Sequence, residues 1–142
     1  NGHGVPKDIK EALKWFRLAA EQGYADAQSV LGHMYRGGKG VPQDFKEAVR
    51  LFRLSAEQGD ALGQTNLGDM YANGQGVPQD FKQAVRLFRL SAEQGHALGQ
   101  TNLGFMYANG QGVPRDYVSA HMWWNLAGSN GNKDALVMGM SL

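Results

Sequence analysis

Apolar residues return at three- and four-residue intervals through most of the chain, and nowhere in the alternation that a half-buried strand requires. After Asp44, the residues Phe45, Ala48, Val49, Phe52 and Ala56 line one side of a helix about four turns long. Asp44-Phe45-Lys46-Glu47 opens that helix as a D-x-x-E capping box, which recurs from Asp8 to Glu11 and approximately from Asp80 to Gln83. Gly59 closes it, because glycine takes the left-handed cap conformation without steric cost. A second helix is expected from about Ala61 to Ala72, carrying Leu67, Gly68, Met70 and Tyr71 and ended by Asn73-Gly74. Gly74-Gln75-Gly76-Val77-Pro78 then forms the turn into the next helix. The pattern predicts an all-α protein.

The punctuation is periodic. Gly-Val-Pro stands at residues 4–6, 40–42, 76–78 and 112–114, with 36 residues between copies. Glycine recurs in the same register at Gly23, Gly59, Gly95 and Gly131, and again at Gly32, Gly68 and Gly104. A fixed period of this length marks a solenoid or array. The stretches 43–78 and 79–114 differ at three places only: Glu47/Gln83, Asp60/His96 and Asp69/Phe105. One such helix pair cannot cover its own apolar face, so successive pairs must stack and share a core along the axis. Gly68 lies inside a helix, where glycine costs about 1 kcal/mol relative to alanine. Its recurrence implies close approach of a partner helix, with Trp15, Leu51, Leu87 or Trp123 as the side chain expected to need the space.

Ala27-Gln28, Leu31-Gly32, Met34-Tyr35, Gly38, Gly40-Val41-Pro42, Asp44, Ala48, Phe52, Ala56 and Gly59 together resemble the Sel1-like repeat, a relative of the tetratricopeptide repeat. The resemblance runs from Gly4 to about Ala135. It implies a right-handed α-α superhelical solenoid of about four helix pairs, with the Leu-Gly-x-Met-Tyr helices on the concave side. It also implies a non-catalytic scaffold or adaptor for protein–protein contacts; many members are bacterial, and many are exported. In the family's phase the chain is one array: a half-unit at 1–24, repeats at 25–60, 61–96 and 97–132, and a terminal segment at 133–142. The helix at about 7–22 has no partner before it, which reads as a fragment of a longer protein. Towards the other end Ser119 and His121 replace the usual Glu and Val, and Met122, Trp123, Trp124 and Leu126 make the helix more apolar. Gly139-Met140 and Leu142 then depart from the repeat, which fits either a capping unit or an array cut short. Trp123, in register with Leu51 and Leu87, and Trp124, in register with Phe16, Phe52 and Phe88, are both expected in the core.

Composition narrows the function. In 142 residues the net charge is +1, too small a field to bind nucleic acid or an anionic membrane by charge alone. With 42% hydrophobic and 19% charged residues the chain reads as folded. The absence of cysteine excludes disulfides, thiolate metal ligands and a thiol nucleophile. No apolar run approaches the roughly eighteen residues that membrane insertion as a helix requires. His3, His33, His96 and His121 fall at no metal-ligand spacing, no Ser/His/Asp constellation or G-x-S-x-G is visible, and the G-x-G-V-P turns read as turn geometry instead of phosphate loops. No metal, cofactor or enzymatic activity is expected.

The three differences between near-identical units remain. Asp60/His96 and Glu47/Gln83 read as solvated positions in a turn and on a first helical turn. Asp69/Phe105, with His33 in the preceding unit, directly follows the mid-helix glycine. The resemblance implies that this residue faces the concave groove, as do the third residue before the glycine and the fourth and fifth after it. The groove would then be lined by Ser29, His33, Arg36 and Gly37; by Thr65, Asp69, Ala72 and Asn73; and by Thr101, Phe105, Ala108 and Asn109. Of these, His33, Arg36, Thr65, Asp69, Asn73, Thr101, Phe105 and Asn109 are the candidate binding residues. An asparagine amide donates and accepts at once, which suits it to clamp an extended peptide backbone. Two readings stay open for Phe105, groove anchor or core, and two for Asn73 and Asn109, backbone clamp or helix end. The expected partner is a protein or peptide held in the groove. The alternative is a structural spacer with an empty groove, and an exposed flank at either end would allow end-to-end self-association.

Overall fold

The computed structural model describes residues 7–129. Its elements are α1 (Lys7–Glu21), α2 (Ala25–Gly37), α3 (Phe45–Glu57), α4 (Ala61–Asn73), α5 (Phe81–Glu93), α6 (Ala97–Asn109) and α7 (Tyr117–Ser129), with no strand among the described residues. Helix starts follow the capping rule. The Asp44 carboxylate accepts from the Glu47 N–H at 3.1 Å, and Asp80 accepts from Gln83 at the same distance. Only half of each capping box is used, because the Asp44 N–H donates to the Tyr35 carbonyl and the Glu47 carboxylate turns to Arg50. At α7, Asp116 accepts from the N–H and the hydroxyl of Ser119, which holds its carboxyl below the ordinary value. Asp8 lies inside the first turn of α1 and not ahead of it; a carboxylate there still favours the positive helix end.

Helices α2, α4 and α6 end on Gly38, Gly74 and Gly110, each left-handed. Two residues further on, Gly76 has φ +75°, and a β-carbon there would lie 2.6 Å from the Phe45 carbonyl oxygen. The turn is therefore pressed onto the start of α3, which fixes the direction in which the next pair leaves.

Each helix packs on its chain neighbours, and α2 also meets α4 as α4 meets α6. The even-numbered helices thus form the inner layer of an α-solenoid, with α1, α3, α5 and α7 outside it. The core between units is a ring seated on a glycine. A β-carbon on Gly68 would lie 2.7 Å from the Phe88 ring, and Gly32 and Gly104 meet Phe52 and Trp124 in the same way. The close approach expected from the sequence is present, but the ring that needs it is Phe52, Phe88 or Trp124, one residue beyond the expected Leu51, Leu87 or Trp123. Trp15 is 60% exposed, whereas Leu51 and Leu87 are buried against the helix pair before them. Burial of Phe52, which is 0% exposed, contributes about 2–3 kcal/mol. Trp124 is buried and its indole N–H donates to the Thr101 carbonyl at 3.2 Å; Trp123 is only half-buried. The Gly139-Met140 and Leu142 positions, and the choice between cap and cut array, lie outside the described residues.

Candidate binding groove

The inner helices bring one position per unit into line: His33 on α2, Asp69 on α4 and Phe105 on α6, each directly after its ring-seating glycine. His33 meets the Phe52 ring edge-on at 5.3 Å, and Phe105 meets Trp124 edge-on at 5.4 Å. Phe105 is half-buried against Trp124 and Ala120, so the ring is shared between the inner surface and the last core cluster. Asp69, which has no ring, pairs instead with Arg36 at 3.5 Å, and Arg36 also donates to the Gln75 side-chain oxygen at 3.0 Å. Arg36 therefore ties two successive units across the inner face. The pair is partly exposed and stabilises by no more than about 1 kcal/mol. Burial pushes the Asp69 carboxyl up, against the opposing pull of the Arg36 guanidinium. Burial, and then Arg36, push the His33 imidazole down, with Asp69 opposing.

Asn73 and Asn109 are exposed final residues of α4 and α6, and their side chains make no hydrogen bond among the described residues. The left-handed cap is the glycine that follows each of them.

Thr65 and Thr101 must be withdrawn from the groove lining, because both are buried, at 0% and 2% exposure. The covering helix of the next unit lies over that side of α4 and α6. Ser29 is buried in the same way. The Ser29 and Thr65 hydroxyls, but not that of Thr101, belong to an interior polar network that the sequence reading missed. Ser29 and Ser55 share a hydrogen bond of 2.8 Å, and Ser55 donates to the Asp60 carboxylate at 2.9 Å. One unit on, Thr65 and Ser91 share a bond of 2.6 Å, with His96 Nδ1 at 3.3 Å from Thr65. The signal was a serine at 55 and 91, in register within an otherwise apolar helix face.

Asp60 and His96 are accordingly not solvated turn residues. Both are half-buried N-caps, accepting from the Gly63 and Gly99 N–H groups at 3.0 and 3.4 Å. Burial lowers the His96 pKa, with Asp60 opposing. Neutral imidazole is the form whose Nδ1 can accept. Glu47 and Gln83 are half-buried too, and each holds the arginine three residues on. Among the described residues no three His, Asp or Glu side chains converge as a metal site, and no helix is long and apolar enough to cross a membrane.

Stacked helix pairs seated ring-on-glycine at a 36-residue period define a repeat scaffold of the α-solenoid class. The Sel1 repeat family model matches residues 1–24, 25–60, 61–96 and 97–132, and the chain belongs to that family. Among solved structures, a protective antigen of uropathogenic Escherichia coli with the same repeat fold is 47% identical, with a TM-score of 0.86 over 91% of this chain. A Sel1 repeat protein from Oxalobacter formigenes is 36% identical, with a TM-score of 0.85 over 89% of this chain. This chain spans 28% of the first and 50% of the second. The cysteine-rich protein B of Helicobacter pylori shares the fold at 22% identity and a TM-score of 0.73, over 97% of this chain and 99% of that one. Comparison with curated proteins gives no match. Sel1-repeat proteins are generally non-catalytic scaffolds for protein interactions.

Proposed function

We propose that this chain binds an extended peptide or protein segment along its inner face, at a row formed by His33, Arg36, Asp69, Asn73, Phe105 and Asn109. The observation that carries this reading is the divergence at one inner position. Units 43–78 and 79–114, otherwise almost identical, place a carboxylate and a phenyl ring at residues 69 and 105, and the more divergent unit before them places an imidazole at residue 33, each on the same kind of seat. Packing does not demand three chemistries there, whereas recognition of three successive ligand groups does. Asn73 and Asn109 leave donor and acceptor free beside that row. With a net charge of +1, affinity would come from backbone hydrogen bonds and an anchor at Phe105 more than from long-range attraction.

The near-identity of units 43–78 and 79–114 favours a second reading, a spacer in which length alone matters. Capture of partners from an extract of the source cells separates the two, using the wild-type chain beside an Asp69→Arg, Phe105→Asp variant shown to be helical. A partner held by the first and lost by the second supports the groove. Retention by both refutes it, and capture by neither leaves the spacer ahead.

A further inference from the structure

The outer helices carry a second repeating pattern, on the side away from the inner face. In α3 the residues Lys46, Glu47, Arg50, Arg53, Leu54 and Glu57 share the outward side, and α5 repeats that register with Gln83 in place of Glu47. Leu18, Leu54, Leu90 and Leu126 fall 36 residues apart and are each between 38% and 43% exposed. Single exposed leucines are ordinary, but a row in one register is a surface pattern.

Beside these leucines the outer helices splay into wedges. Between α1 and α3 the wedge encloses about 580 Å³, with Leu31, Leu51 and Leu54 among its walls and Arg17 and Arg50 balanced by Glu21 and Glu47 at its edge. Between α3 and α5 a smaller wedge of about 120 Å³ is walled by Leu67, Leu87 and Leu90 and edged by Arg53, Arg86 and Glu57, two cations to one carboxylate. The charge is segregated as well. Outward cations outnumber carboxylates by three to two in α3 and three to one in α5. Helices α2, α4 and α6 together hold Arg36 against Asp26 and Asp69. The overall charge of +1 therefore conceals a positive outer side. The arginines are held in place. Arg53 and Arg89 donate to the Tyr71 and Tyr107 hydroxyls at 3.2 and 2.8 Å. Arg50 is paired by two bonds to Glu47, whereas Arg86, among the described residues, donates instead to the uncharged Gln83 oxygen at 2.9 Å.

We propose that the outer face of α3 and α5 is a docking surface for an acidic amphipathic segment of a partner protein. Its aliphatic side chains enter the wedges beside Leu54 and Leu90, and its carboxylates meet Arg53, Arg86 and Arg89. Charge complementarity selects this occupant. Glu57 and Glu93, exposed on the same face, disfavour a continuous phosphate backbone or an anionic bilayer, and the apolar contacts lie inside wedges that a flat lipid surface cannot fill. The surface is separate from the inner row, and either can fail without the other.

The test uses a fluorescein-labelled helical peptide with leucines along one side and glutamates flanking them, beside a scrambled peptide of the same composition. Anisotropy titration against the whole chain is expected to show binding of the patterned peptide, weakened at least about tenfold by scrambling. Leu54→Ser with Leu90→Ser should weaken it by a similar factor, and Arg86→Glu, which leaves the leucine walls intact, by about threefold or more. All variants should keep wild-type helicity, since the changed side chains are partly exposed. Equal binding of the scrambled peptide, no effect of these substitutions, or no binding at all would overturn the proposal. So would binding to phosphatidylglycerol vesicles in place of the peptide, or loss of the peptide on Asp69→Arg with Phe105→Asp, which would move the contact to the inner row.

Discussion

Residues 43–78 and 79–114 build the same unit twice: Asp44 caps α3 at φ −150°, ψ 99°, and Asp80 caps α5 at φ −151°, ψ 98°. Their three differences fall on three different surfaces. Glu47/Gln83 changes the charge of the outer arginine row, Asp60/His96 changes the acceptor inside the helix junction, and Asp69/Phe105 changes the inner row. Only the last reaches a ring–glycine seat, where Phe105 meets the Trp124 ring that lies on Gly104. A repeated backbone can thus hold its packing constant while its outer side, its junction and its inner side vary independently.

The largest expected effect tests whether the two seats are equivalent. Phe52→Ala and Phe88→Ala should each cost about 3–5 kcal/mol, equal to within about 0.5 kcal/mol, in urea unfolding followed by circular dichroism. A clear inequality would mean that position in the array outweighs the local seat. Gly68→Val, which drives a branched side chain into the Phe88 ring, should lose about 1–3 kcal/mol, and an unchanged melting temperature would refute the close approach.

The junctions come next. Asp60→Ala should cost about 2 kcal/mol and His96→Ala about 1 kcal/mol, because the Asp60 carboxylate also accepts from Ser55 while His96 contributes one uncharged acceptor. The pair Thr65 and Thr101 sharpens the contrast. Thr65→Val removes the partner of Ser91 and should destabilise by about 1 kcal/mol. The Thr101 hydroxyl is buried without a partner among the described residues, since Ala127 stands where Ser55 and Ser91 stand in the earlier units. Thr101→Val should be neutral or stabilising by up to about 1 kcal/mol, and a clear loss would reveal a partner for that hydroxyl.

Acid separates the units by sign. The His96 pKa is lowered in the folded state, so the unfolded chain binds its proton first. Its contribution is complete above about pH 6.5 and is lost as pH falls below that value towards the folded pKa. His96→Asp should flatten the decline of the urea midpoint between about pH 7 and pH 5. Asp69 has a raised pKa and acts the other way, giving stability below its ordinary value that disappears as pH rises through the folded one. The smallest effect belongs to Asp69→Phe, which exchanges a partly exposed ion pair for a ring contact with Phe88. It should change stability by less than about 1 kcal/mol, and a larger loss would make the Arg36 tie a structural strut.

Much of this architecture is written in local punctuation. The proline turns, the Asp caps, the left-handed glycines and the period each follow from single-residue conformational preference, and the helices stand within a residue or two of where those signals put them. Contacts between helices were less legible. Leu51 and Phe52 are both apolar and adjacent, and only the crossing of α2 and α3 decides which of them sits on Gly32. Thr65 and Thr101 fell on the wrong side for the same reason, because the next unit's helix decides which face of α4 and α6 it covers. Asp60 and His96 looked freely variable because they differ in charge and shape. What the site requires is a lone pair aimed at the third backbone N–H, and a carboxylate and a neutral imidazole both provide it. The outer leucines gave no warning, since Leu51 and Leu54 occupy one helix in the same apolar spelling, yet one is buried and the other faces water.

Because Gly32 receives Phe52 as Gly68 receives Phe88, these two junctions are interchangeable. Excision of residues 43–78 would join Pro42 to Gln79, restore the Val-Pro-Gln-Asp spelling at the splice, and set Gly32 against Phe88. Copy number can then rise or fall by whole units without any length that leaves a mismatched joint. The span of the array becomes a heritable quantity, adjustable in fixed steps and independent of what each step displays.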